Sequence, residues 1–293
     1  MLNDLIKNIS KTIIGNQERI KLTLAAIISE GSILIEDFPG SGKTTFAKTI
    51  TQNLGFSFKR IQFTSDLLPS DILGYNIFSN DKLSFQKGPI FTNIVLADEL
   101  NRGSPKSQSA FLEAMEEKKV SIDGVTYNLP EPFFVIATQN PMDSSGTSSL
   151  PDSQLDRFMI SFSLSDLDDQ EKISMLKNEI SFDENKSELI DWDKLKIQKS
   201  KINISDDIYK YAIEIEQTIK SLEQKIYISA RCLKQIIDIA KGWAILNKKN
   251  YVTHQDIKET LPFILRHRIK FLKQEEKSEF VKKEILEKII IEK

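Results

Sequence analysis

The chain has 293 residues, more than one typical domain needs, and an apolar fraction of 40% leaves ample material for a core in a chain this long. Lys and Arg number 40 against 42 for Asp and Glu, so the net charge of -2 argues against a nucleic-acid protein driven by bulk charge, while leaving room for a local basic strip. A single cysteine, Cys232, excludes an internal disulfide, and no run approaches about 18 uninterrupted apolar residues, so no membrane-spanning helix is expected.

Residues 1–30 predict two helices around Ile13-Ile14-Gly15-Asn16, the second with an apolar face of Ile20, Leu22, Leu24, Ala25 and Ile28. The opening MLNDLIKNISK has neither an apolar signal core nor a small-residue cleavage site, so a cytoplasmic protein is the expectation. Ile33 to Lys48 then organises everything that follows. It reads as a buried strand, a Gly/Pro turn, and a helix from Thr44 to Leu54 that ends near Gly55. Such a turn leaves backbone N–H groups pointing inward, and the helix start adds partial positive charge, so the stretch is an anion cradle. Its residues are Pro39, Gly40, Ser41, Gly42, Lys43, Thr44 and Thr45. Lys43 would reach the β- and γ-phosphates of a nucleotide, and the Thr44 hydroxyl would ligate Mg2+. One residue departs from the G-x-x-x-x-G-K-[ST] pattern: Asp37 stands where Gly is required. Its carboxylate is expected to turn from the phosphates and bond the loop backbone.

A strand is predicted over Ser57 to Phe63, then a loop-rich stretch from Thr64 to Asn93 holding a small hairpin, Tyr75 to Phe78 and Leu83 to Phe85. Ile94 to Asp98 is a buried strand that delivers Asp98 and Glu99 to its carboxyl end, where ligands of open α/β sheets bind. Asp98 suits Mg2+, directly or through water, and Glu99 suits the polarising of an attacking water. Pro105 opens a helix to about Glu117, and Val120 to Leu129 alternates around Asp123-Gly124 as a second hairpin. Phe133 to Thr138 is an apolar strand that ends at Gln139-Asn140, which puts Asn140 at the same sheet edge. A short helix carries Leu155-Asp156-Arg157, and Phe158 to Leu164 is the last strand.

Strands and helices thus alternate to about residue 165, the grammar of a parallel sheet covered on both faces. Ser165-x-x-Asp168 would cap a helix to Lys177, and residues 181–204 read as a polar linker. Only helices are predicted after that: to about Leu222, from Ser229 to Leu246, from the capping box Thr253-x-x-Asp256, and a charged amphipathic one over Phe271 to Lys293. The expected fold is α/β, an αβα core at 1–181 with a parallel sheet, followed by a small all-α lid at 182–293. Cys232, Trp192 and Trp243 read as packing residues, His254 as surface, and Arg266 and Arg268 as lid packing or a subunit interface ahead of a nucleic-acid patch.

The chain resembles the MoxR family of AAA+ ATPases. The residues that carry this are Glu36 to Thr44, Gln62 to Gly74, Gly88 to Phe91, Ala97 to Arg102, Pro105 to Gln108, Leu112 to Glu117, Ala137 to Pro141, Leu155 to Phe158 and Leu265 to Arg268. The family accommodates Asp37. The resemblance implies ATP and Mg2+ as cofactors, Asn140 as the residue beside the γ-phosphate, and Arg157 as an arginine finger for a neighbouring subunit. It also implies Arg231 as a second phosphate-sensing arginine, and Gly15 and Asn16 near the adenine, although the family more often has Gln after that Gly. It further implies a ring, most often a hexamer, acting in chaperone-like remodelling, maturation or metal insertion on a separate partner, often one with a von Willebrand factor A domain. No nucleic acid and no membrane insertion are expected. Two alternatives stay open: a nucleotide-dependent scaffold with little turnover, and a DNA-translocating helicase-like subunit. The hairpins over 75–88 and 118–130 match the family's insertions, facing a pore or partner or serving as structural trim.

Overall fold

The computed structural model describes residues 2–38, 40–79, 82–140, 150–164, 169–177 and 190–289. In chain order the elements are α1 (Leu2–Thr12), α2 (Gln17–Ile28), β1 (Ser32–Glu36), α3 (Lys43–Leu54), β2 (Phe58–Gln62), α4 (Pro69–Leu73), β3 (Gly74–Ser79), β4 (Lys82–Lys87) and β5 (Ile94–Asp98). There follow α5 (Pro105–Glu117), β6 (Lys119–Ile122), β7 (Val125–Asn128), β8 (Phe134–Gln139), α6 (Asp152–Leu155), β9 (Phe158–Phe162) and α7 (Asp169–Lys177). The remainder is helical: α8 (Trp192–Ser200), α9 (Asp206–Ser221), α10 (Ala230–Leu246), α11 (His254–Leu265) and α12 (Lys277–Phe280).

Five strands form one parallel sheet in the order β2-β5-β8-β1-β9. The period of two along each strand divides its residues between two cores. Ile33 and Ile35 of β1, Ile94 and Leu96 of β5, and Phe134 and Ile136 of β8 enter one core, with α2, α3, α10 and α11. Leu34, Val95, Ala97, Val135 and Ala137 enter the other, with Ile72 of α4 and Phe111, Leu112 and Met115 of α5. β1, β5, β8 and β9 are buried on both sides because both faces are covered, whereas β2 at the sheet edge exposes Lys59 and Arg60. The helical C-terminal part is docked on the first core through Cys232, Ile236, Ile239 and Trp243. It comes so close that a β-carbon on Gly242 would collide with the Ala25 carbonyl oxygen, and Ser29 Oγ donates to the Asp238 carbonyl at 2.6 Å. Burial pushes the Cys232 thiol up to about 11, as fits an inert packing residue.

The two hairpins form and meet. Phe85 stacks on Tyr127 at 4.2 Å between ring centroids, and Asn76 Nδ2 donates to Asp123 Oδ2 at 2.6 Å. Asp123 and Gly124 both have positive φ, 48° and 81°, the turn that Asp-Gly favours.

Three local readings need correction. The stretch 64–93 contains helix α4, held by Leu68 N–H donating to Asp71 Oδ2 at 2.9 Å. The polar stretch 181–204 contains α8, capped by Asp191 Oδ1 accepting from Lys194 N–H at 3.0 Å. Leu195 is the buried residue of α8, and a helix with one anchor leaves no period to read. The C-terminal stretch is not one α-helix: α12 continues into a π-helical turn at Val281–Leu286. The cap expected at Ser165 and Asp168 lies outside the described residues. Among the described residues, no helix is long and apolar enough to cross a membrane.

Candidate functional site

Parallel strands present their carboxyl ends on one edge. Because β2, β5, β8 and β1 are consecutive in the sheet, Gln62, Asp98, Gln139 and Glu36 lie along it, with Gln62 in register with Asp98 and Glu36 with Gln139. The turn after β1 leads into α3, whose N-cap, Gly42, has φ 85°. Gly40 has φ 84°, and a β-carbon on either glycine would meet open space. Left-handed backbone, rather than crowding, is therefore what demands glycine here. Phe38 N–H donates to Asp37 Oδ1 at 2.8 Å, so the carboxylate that replaces the expected Gly bonds its own loop. Asp37 Oδ2 and Ser41 Oγ are buried without a hydrogen-bond partner. Such an orphaned hydroxyl in a loop at a helix start fits a phosphate oxygen. Pro39 lies outside the described residues. Thr44 and Thr45 are half-buried in the first turn of α3.

Lys43 Nζ donates to the carbonyls of Asp37 at 3.0 Å and Phe38 at 2.6 Å. Burial pulls its proton affinity below the ordinary lysine value, while the charges of Asp37, Asp98 and Glu99 oppose that shift. The three carboxylates therefore share a field with this ammonium.

Asp98 is buried and fully engaged. Its Oδ1 accepts from Thr138 Oγ1 at 2.6 Å, and its Oδ2 accepts from Arg60 Nε at 3.0 Å and Nη2 at 2.6 Å. Glu99 sits in left-handed backbone, φ 53° and ψ 47°. Its N–H donates to Thr138 Oγ1 at 2.9 Å, and its Oε2 accepts from Gln62 Nε2 at 2.8 Å and pairs with Arg102 at 3.4 Å. A divalent cation fits this donor set, because Thr44 and Asp98 supply hard oxygens. With both oxygens of Asp98 already bonded, holding through water suits it better than direct ligation. No group of three or more His, Cys, Asp or Glu converges among the described residues, so phosphate and water would complete the shell. Asn140 follows β8 at the same edge, half-buried.

Gly15 and Asn16 precede α2. Gly15 has φ 71°, and Asn16 is buried with Nδ2 donating to the Ile14 carbonyl at 3.1 Å.

The two arginines stand together in a second cluster. Arg157 Nε pairs with Glu116 Oε2 at 3.2 Å, and Arg231 pairs with Glu116 Oε1 and, at 3.5 Å, with Asp156 Oδ2. Glu116 is thus shared by both. Asp156 also accepts from Ser229 Oγ at 2.7 Å and from Arg268 Nη2 at 3.0 Å. Arg231 opens a helix, where the dipole disfavours a cation. The carboxylates of Glu116 and Asp156 offset that cost. Arg157 pairs with Glu116 rather than with its chain neighbour Asp156. His254 is half-buried, edge-on to Tyr211 and 2.9 Å from Asp207 Oδ2, so it is less a surface residue than its position in a capped first turn implies. Arg268 is buried and so belongs to packing, as one of its readings had it.

Sequence reading missed Arg60, Glu116, and the holding of Glu99 by Gln62 and Thr138. All but Arg60 stand inside the stretches that carry the resemblance. Arg60 had one local signal, its place with Gln62 on the polar side of β2 opposite Ile61.

Residues 32–160 match the family model described as "ATPase family associated with various cellular activities (AAA)", and residues 216–289 match the "AAA lid domain". The uncharacterized protein YeaC of Bacillus subtilis (strain 168) is 50% identical over 161 residues, 54% of this chain and 50% of YeaC. Chaperone MoxR1 of Mycobacterium tuberculosis is 42% identical over 156 residues, 53% of this chain and 41% of that protein. The matches therefore span about half the length of these relatives or less. A crystal structure from Cytophaga hutchinsonii, described as that of a candidate ATPase, superimposes with a TM-score of 0.86 at 35% identity, over 99% of this chain and 94% of that one.

Proposed function

The chain belongs to the MoxR family of AAA+ ATPases, and from that premise we propose that it hydrolyses Mg-ATP and spends the energy on remodelling, maturing or metallating a separate partner protein. Residues 1–181 are taken as the nucleotide-binding core and 182–293 as the lid. The observation that carries the reading is the meeting, at one sheet edge, of Lys43 from α3 with Asp37, Asp98 and Glu99 from the ends of β1 and β5.

In this reading the cradle of Gly40, Ser41, Gly42, Thr44 and Thr45 binds the phosphates, with Pro39 in the same loop and Gly15 and Asn16 toward the base. Lys43 leaves its two loop carbonyls for the β- and γ-phosphates. Thr44 and, through water, Asp98 would hold Mg2+, which supplies neutralisation of phosphate charge. Glu99 takes the proton of the attacking water, and Asn140 helps to place that water. Arg157 serves a neighbouring subunit's site, which calls for a ring, taken as a hexamer from the family. Arg231, which shares Glu116 with Arg157, is taken as the second phosphate-sensing arginine. The partner is taken to carry a von Willebrand factor A domain, and the compartment to be the cytoplasm.

The test is phosphate release from Mg-ATP by the wild type and by Glu99→Gln. Turnover in the wild type that is abolished in the variant, with ATP still bound, is expected. Full turnover by the variant would overturn the assignment of the base. ATP binding without turnover in any partner's presence would favour a scaffold. The same variant, loaded with ATP, is the trap for retrieving the partner.

A further inference from the structure

We propose that Arg60 is a positioning residue that competes with a divalent cation for Asp98 and, while it holds that carboxylate, keeps Glu99 restrained. The inference rests on the reading of this edge as a nucleotide site. Arg60 lies on β2, the edge strand of the sheet, outside the cradle and outside the Asp98-Glu99 pair. Its guanidinium makes two contacts that belong together. Nε and Nη2 donate to Asp98 Oδ2 at 3.0 and 2.6 Å, and Nη2 also donates to Gln62 Oε1 at 2.5 Å.

The second contact fixes an orientation. A guanidinium has donors only, so the Gln62 amide must turn its oxygen toward Arg60. Its NH2 then faces the other way and donates to Glu99 Oε2 at 2.8 Å. Thr138 closes the circuit, with its hydroxyl donating to Asp98 Oδ1 at 2.6 Å and accepting from Glu99 N–H at 2.9 Å. Arg60, Gln62, Glu99, Thr138 and Asp98 thus form one closed ring of hydrogen bonds across β2, β5 and β8.

A cation held near Asp98 and the Arg60 guanidinium would share one carboxylate and repel each other. Arg60 is the partner able to leave, because its side chain is 48% exposed and water accepts the guanidinium at little cost. Once Arg60 departs, nothing in the ring holds the Gln62 oxygen, and the donor that restrains Glu99 is no longer oriented. Loading of the Asp98 site therefore loosens one of the two side-chain holds on Glu99, the other being its pair with Arg102 at 3.4 Å. By linkage, Arg60 lowers cation affinity by the factor by which the cation loosens Arg60.

The test is Mn2+ binding to the ADP complex, read as free Mn2+ by electron paramagnetic resonance, in the wild type, Arg60→Met, Arg60→Lys and Gln62→Leu. Arg60→Met is expected to bind Mn2+ about fivefold tighter than the wild type, the scale of one half-exposed ion pair. Arg60→Lys, which keeps the charge but loses the fork, falls between them and serves if the Met variant does not fold. Gln62→Leu removes one donor from Glu99 and one acceptor from Arg60 but leaves both Arg60 donors on Asp98, so it is expected to stay close to the wild type. Wild-type Mn2+ affinity in both Arg60 variants would overturn the inference, as would equal tightening in Gln62→Leu. ADP binding is measured first with a fluorescent analogue. If the wild type binds none, the reading of the site fails, and this inference with it.

Discussion

Asp98 and Asp156 each accept from an arginine brought in by another element, and the two pairs sit in different surroundings. The Arg60 side chain is 48% exposed against 10% for Asp98, whereas Arg268 is 3% exposed and Asp156 6%. Water stands ready to take Arg60, and nothing stands ready to take Arg268. Burial turns the second pair into a fixture joining the last strand, α10 and the turn after α11, where Arg268 also donates to Gln235 Oε1 at 2.8 Å. Exposure leaves the first pair free to exchange partners. The same two side-chain types thus anchor the helical part in one place and leave a site adjustable in the other.

The contrast breaks most clearly at Arg268. Arg268→Met leaves Asp156 buried without that partner, and urea denaturation should show a loss of about 3–5 kcal/mol. A loss under 1 kcal/mol would put the Asp156 pair in the same class as the Asp98 pair. Lys43→Ala should do the reverse. It removes a cation from the reacting edge, and phosphate release should fall about 100- to 1000-fold with the urea midpoint unchanged.

His267 sharpens the comparison through pH. It is buried beside Arg268, and burial first, then the charges of Arg268 and Lys277, hold its proton affinity well below the ordinary histidine value. The unfolded chain therefore takes the proton first. This contribution is complete above a pH of about 6.5 and is lost as pH falls, by about 1.4 kcal/mol per pH unit for one proton. Urea denaturation at pH 7 and pH 5.5 should show a shallower loss in His267→Gln than in the wild type; equal slopes would remove His267 from the account. The smallest effect is expected at Glu116, whose side chain is 35% exposed. Glu116→Gln should change stability by less than about 1 kcal/mol and lower turnover no more than about fivefold, through looser placement of Arg157 and Arg231.

Much of this was legible in the chain. Apolar runs bounded by turn residues located β1, β5, β8 and β9, because each is buried on both faces, whereas β2 read as a strand although its Lys59 and Arg60 are exposed. The cradle was legible because strand, glycine turn and helix start are contiguous. The Asp-Gly turn and the Thr253 capping box were legible for the same reason; the box is present, with Thr253 N–H donating to Asp256 Oδ2 at 2.9 Å and Asp256 N–H to Thr253 Oγ1 at 3.3 Å. Helix α8 was not, because its stability comes from a cap and from packing of Leu195 and of Trp192 against Phe56 rather than from an apolar stripe.

What the sequence determined alone is therefore whatever neighbouring residues decide: the strand and helix periods, the caps, the turns, and the anion cradle between β1 and α3. Strand order and docking were decided only in three dimensions, and with them every pairing that distinguishes the two carboxylates. Arg60 meets Asp98 because β2 lies beside β5 in register, and Arg268 meets Asp156 because the helical part packs on the first core. Each is one contact between residues far apart in the chain, and a single distant contact imposes no repeat on the residues around it. The physical difference between the pairs, how much water reaches each, is a property of the packed surface and has no local trace.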